Sequence, residues 1–119
     1  MWELVPTAVY RRRFREFEKK HPAELQAMLA NLEDLRILLD SGIKPALIRT
    51  GFLHREPMGV MAIDQKGTRG SKKQTRLYVY IVESDSLIYL ITIGDKRTQS
   101  ADIQFCKEFV GSLRRRDTT

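Results

Sequence analysis

The sequence has one cysteine in 119 residues, Cys106, so neither an intramolecular disulfide nor a cysteine-based zinc cluster can hold the chain together. That usage is compatible with a reducing compartment. Cys106 stands among Ile103, Phe105 and Phe109 with no histidine near it in sequence, which makes packing a plainer reading than a catalytic thiol. No apolar run approaches the roughly 20 residues that cross a bilayer, and the first residues lack the apolar stretch of a signal peptide. A cytoplasmic protein with no membrane partner is expected. There is no internal repeat and no shift in composition, so the expectation is a single domain over residues 1–119.

What is present is a globular balance with a basic excess. Hydrophobic residues make up 42% and charged residues 30%, which argues against wholesale disorder. Lys plus Arg total 21 against 15 Asp plus Glu, a formal net charge of +6 that favours polyanionic or acidic partners.

Residues 2–5 read as a short strand, broken by Pro6. Beyond it, Tyr10, Phe14 and Phe17 recur at spacings of four and three, which predicts a helix with one aromatic face. That stripe reads as core. Arg11, Arg12, Arg13 and Arg15 could touch phosphate, although a solvated helix face is the commoner meaning of such a run. Pro22 suits the first turn of a second helix, carrying Leu25, Met28, Leu29, Leu32 and Leu39 and capped near Gly42. After a connector with an irregular strand around 48–54, strands are expected at 58–64, 76–83 and 86–94. Ser84 and Asp85 would join the last two in a tight antiparallel turn. Ser100 or Asp102 could open a final helix bearing Ile103, Phe105, Cys106, Phe109, Val110 and Leu113. The fold class expected is α+β, a small antiparallel sheet packed against an N-terminal helical hairpin and a C-terminal helix.

Cations gather at one end of this plan. The loop 64–76 carries Lys66, Arg69, Lys72 and Lys73 along with two glycines and small polar residues, a composition able to follow a phosphate backbone. Arg76 opens one strand of the antiparallel hairpin and Lys96-Arg97 follow the end of the other. Pairing therefore brings these three to the same end of the sheet, across strands about 5 Å apart.

The stretches Arg76-Leu77-Tyr78-Val79-Tyr80, Leu87-Ile88-Tyr89-Leu90-Ile91-Thr92-Ile93 and Lys96-Arg97-Thr98-Gln99 resemble the carboxy-terminal half of RelE/HigB-type toxins, within the RelE/ParE superfamily. Element order is similar over nearly the whole chain, and the residue-level likeness spans about 58–103. The resemblance implies a ribosome-dependent mRNA endonuclease, the toxin of a type II toxin-antitoxin system, with mRNA, the ribosome and an acidic antitoxin as partners. No cofactor or metal is implied.

Such cleavage has a ribose 2′-hydroxyl attack the adjacent phosphorus, which calls for a proton acceptor, cations on the phosphoryl oxygens and a proton for the departing 5′-oxygen. Arg76 is the candidate for gripping the phosphate, because a guanidinium fork matches two oxygens; a salt bridge to Glu83 or Asp102 is its plain structural alternative. Lys96 and Arg97 would stabilise the transition state or assist the leaving group, and Lys72 and Lys73 would hold backbone. The base is open among His54, Glu56 and Asp64, histidine as a residue type exchanging its proton near neutrality. Two features depart from the family pattern. The strand over 58–64 carries no cation, and no His or Tyr follows Lys96-Arg97. A ParE-like gyrase-binding toxin and a non-catalytic basic binding module are the alternatives.

Overall fold

The computed structural model describes residues 1–65 and 74–117. In chain order it has β1 (Glu3–Pro6), α1 (Ala8–Lys20), α2 (Pro22–Asp40), β2 (Leu53–Arg55), β3 (Val60–Asp64), β4 (Thr75–Val82), β5 (Leu87–Asp95) and α3 (Gln99–Asp117). Short 3-10 turns stand at Pro45–Leu47, Pro57–Gly59 and Glu83–Asp85.

Local chemistry sets the helix ends. Thr7 caps α1, its hydroxyl oxygen accepting from Tyr10 N at 3.0 Å. His21 closes α1 by donating its backbone N–H to the Phe17 carbonyl and opens α2 by accepting from Leu25 N, with Pro22 at the first helical position. Past the end of α2, Gly42 takes a φ of +97°, a conformation that strains any residue with a Cβ. There Gly42 N donates to Leu39 O and Ile43 N to Leu38 O, the paired bonds of a Schellman stop.

The strands form a five-stranded sheet in the order β1-β5-β4-β3-β2. Four strands run antiparallel, and β1 joins β5 in parallel, Glu3 opposite Leu87 and Pro6 opposite Leu90. The class is α+β as expected, but the sheet is mixed rather than antiparallel. The difference arises because the α1-α2 excursion ends on the far side of the sheet from β1, leaving the parallel edge of β5 for the first strand to fill.

Alternation along the strands divides two cores. Met61, Ile63, Leu77, Val79, Ile88, Leu90 and Ile93 pack with Tyr10, Phe17 and the Leu25-Met28-Leu32-Leu35-Leu39 stripe of α1 and α2. Val60, Ala62, Tyr78 and Ile91 pack with Cys106, Val110 and their neighbours on α3. Helices thus cover both faces, which explains why β4 and β5 read as nearly continuous apolar runs. Cys106 is core, as its neighbours suggested, and burial pushes its thiol up to about 12, with the Asp102 and Glu56 charges adding to the effect.

Between β4 and β5 the register shifts: Tyr78 faces Thr92 and Val79 faces Leu90, so Ile91 has no opposite residue. Its carbonyl accepts the Thr7 hydroxyl at 2.7 Å. One hydroxyl thereby caps α1 and satisfies the bulge.

The last helix begins at Gln99, earlier than the Ser100 or Asp102 start that the sequence suggested. A turn precedes it in which Asp95 Oδ1 accepts from Arg97 N at 2.9 Å and Thr98 N at 3.2 Å. Asp102 lies one turn inside the helix and is buried, accepting the Thr98 hydroxyl at 2.6 Å. This pair sits directly on Gly94: a Cβ there would fall 1.7 Å from Asp102 Oδ2 and 2.5 Å from Thr98 Oγ1. Gly94→Ala is therefore expected to lower stability by roughly 1–3 kcal/mol, the usual range for overpacking, read as a fall in the urea midpoint.

Candidate functional site

The register places Arg76 opposite Asp64 on β3 and opposite Gly94 on β5. Residues that face one another across antiparallel strands share a face, so Arg76, Asp64 and Tyr78 all lie on the α3 side. His54 is opposite Ala62 and joins them. Glu56 comes in from the turn after β2, where its backbone N–H donates to Val60 O.

Two polar contacts follow. His54 Nε2 lies 2.6 Å from Asp64 Oδ2, the side chains being 33% and 16% exposed. A carboxylate can only accept, so Nε2 donates in this contact; Nδ1 has no hydrogen-bond partner among the described residues. Arg76 Nη1 lies 3.4 Å from Glu56 Oε1, at 24% and 13% exposure. To make it, the guanidinium crosses β3, and the residue of β3 on this face at mid-strand is Ala62, whose methyl leaves the passage open. Glu56, and neither Glu83 nor Asp102, is the partner of Arg76.

The structure thus brings together four sequence candidates, Arg76, His54, Glu56 and Asp64. It does not join Lys96 and Arg97 to them. Both are exposed in the turn after β5, at the Arg76 end of the sheet, and neither side chain has a hydrogen bond or ion pair among the described residues. The Arg76 guanidinium leans the other way, across β3 toward the turn after β2. Lys66, Arg69, Lys72 and Lys73 lie outside the described residues. What frames their loop is described: Gln65 Oε1 accepts from Thr75 N at 2.8 Å and from the Thr75 hydroxyl, fastening the two ends together.

Beneath this cluster lie Tyr78, to which sequence reasoning gave no role, and Asp102, which it named only as a helix opener or a partner for Arg76. Tyr78 is fully buried and its hydroxyl has no hydrogen-bond partner among the described residues. Burial holds its proton well above the ordinary phenol range, with the Asp102 charge acting in the same direction and Arg76 against it. Asp102 is likewise raised by burial, while the Thr98 hydrogen bond and the Arg13 charge pull the other way and Asp95 adds to the rise. The one signal for these groups was strand alternation, which sets Arg76 and Tyr78 on a common face.

Among the described residues no group of three or more His, Cys, Asp or Glu is arranged to hold a metal ion, and no helix is long and apolar enough to cross a membrane. No family model, curated protein or solved structure matches this chain.

The raised carboxyl of Asp102 has a definite sign in stability. The folded state holds this proton more tightly than the unfolded chain does, so the group favours folding in acid, and that contribution is lost as pH rises from the ordinary Asp range through the folded pKa. Asp102→Asn keeps an oxygen for Thr98 and mimics the protonated form. It is expected to raise the urea midpoint near neutrality and to lose that advantage in acid.

Proposed function

We propose that this chain is a metal-independent endoribonuclease of the RelE-like toxin kind, cutting ribosome-bound mRNA by 2′-hydroxyl attack on the adjacent phosphate. The observation that carries this reading is the His54-Asp64 contact on the same sheet face as the Arg76-Glu56 pair. Base and phosphate-binding cation then stand on β2 and β4, either side of β3, partly open to solvent.

In this mechanism Asp64 holds the His54 ring by its Nε2–H, and Nδ1 accepts the proton of the attacking hydroxyl. His54 is preferred over Glu56 because Glu56 is engaged by Arg76, and over Asp64 because Asp64 serves the ring. Arg76 exchanges its long bond to Glu56 for two phosphate oxygens, a charge-assisted fork that strengthens as negative charge develops. Lys96 and Arg97, exposed and unpaired among the described residues, meet the phosphate from the β5 side and protonate or neutralise the departing 5′-oxygen. The net charge of +6 suits both RNA and a masking acidic antitoxin. A cytoplasmic location belongs to the same reading.

One observation favours a second reading, in which the chain is a ParE-like gyrase-binding toxin or a non-catalytic basic module: the Arg76 charge is already neutralised by Glu56. Induced expression followed by primer extension on a cellular transcript separates the three. Codon-associated cuts support the nuclease, growth arrest with intact mRNA and damaged DNA supports gyrase poisoning, and no growth effect supports the binding module. With purified ribosomes and transcript, Arg76→Ala or His54→Ala should slow cleavage by about 100-fold or more, the usual loss for one transition-state group. If Arg76→Ala with Lys96→Ala leaves both the fold and the cleavage rate unchanged, the assignment is wrong.

A further inference from the structure

We propose that α1 carries a separate site for single-stranded nucleic acid, a shallow groove in which one base stacks while flanking arginines hold its phosphates. The site shares no residue with His54, Asp64 or Arg76, and it stands whether or not the chain cleaves RNA.

The groove has a volume of about 310 Å³ and is lined by Pro6, Tyr10, Arg11, Phe14 and Arg15. Of the aromatic stripe that reads as core in the sequence, Tyr10 and Phe17 are buried, but Phe14 is only half-buried and forms part of the groove wall. Its ring centroid lies 5.9 Å from that of the buried Tyr10, the planes tilted by 51°, so Phe14 offers the exposed aromatic face and Tyr10 backs it. Arg11 and Arg15 stand one helical turn apart beside Phe14, both exposed and without an ion pair among the described residues. Behind them a second depression is lined by Arg12, Arg15, Lys19 and Lys20 together with Glu16 and Glu18, extending the cationic track along the helix.

Aromatic floor, paired guanidinium groups and onward positive charge are the parts from which sequence-tolerant single-strand sites are built. An amphipathic acidic helix is the rival occupant, and it fits less well. Such a helix needs a long trough for anchors at i, i+3, i+4 and i+7, whereas this groove offers a single aromatic pair.

The probe is a short fluorescein-labelled 2′-O-methyl oligouridine, which cannot be cut because it lacks the attacking hydroxyl, and binding is read by anisotropy over a salt series. Phe14→Ala should weaken binding roughly tenfold, and Arg11→Ala with Arg15→Ala should flatten the log–log salt slope by about 1.4. Phe14 also touches the core, so the arginine double variant, with its fold checked by circular dichroism, is the deciding measurement. In an Arg76→Ala background, where any binding at the catalytic site is already weakened, the arginine double variant should still flatten the slope by about 1.4, which separates this site from the catalytic reading. Unchanged affinity and slope in the arginine double variant overturn the proposal. So does a wild-type chain that ignores the probe and instead binds an acidic helical peptide, or self-associates, through this groove.

Discussion

A charged side chain on a covered face of a sheet must find its partner on that face, and this constraint organises the α3 side of the molecule. Arg76, Asp64, His54 and Glu56 all enter a surface otherwise made of Val60, Ala62, Tyr78 and α3. With an apolar layer beneath them, they engage one another in two pairs, His54 with Asp64 and Arg76 with Glu56. Ala62 is the condition for this, since a larger side chain at mid-strand would block the path of Arg76 over β3. The same enclosure leaves the Tyr78 hydroxyl without a partner among the described residues and raises the carboxyl of Asp102.

The bulge at Ile91 sets the geometry around that face. The extra residue in β5 lets Gly94 come opposite Arg76 and lets the turn Asp95-Lys96-Arg97-Thr98 fold back over the sheet end. Gly94, with no side chain, then admits Asp102 and Thr98 at close range. Lys96 and Arg97 are lifted into solvent by the same turn, which is why they share an end of the sheet with Arg76 without touching it.

Much of the fold was legible because its signals are local. Pro22 and Gly42 mark the ends of α2, the i, i+3, i+4 pattern marks its buried face, and the Tyr-Val-Ile-Leu runs mark β4 and β5. The parallel docking of β1 was not legible, since nothing in residues 3–6 says which strand edge they will meet. The start of α3 was misplaced because the Asp95 side chain organises the turn through backbone amides, a use of Asp that composition does not reveal. In the site, register gave the shared end of Arg76, Lys96 and Arg97, but register is silent on where a long side chain leans. Only the position of Glu56, set by the turn at Pro57–Gly59, decides that. The role of Asp64 beside His54 was hidden for the same reason: the two are ten positions apart on separate strands.

The parallel pairing of Glu3–Pro6 with β5, sealed by the Thr7 hydroxyl on a carbonyl 84 positions away, bears on the order in which the molecule can form. During synthesis the α1-α2 hairpin can close early from neighbouring contacts, but β1 has no sheet to join until β5 has emerged. Until then the apolar face of α1, which packs on β5, waits uncovered, and completion of the domain is tied to the arrival of its last strand.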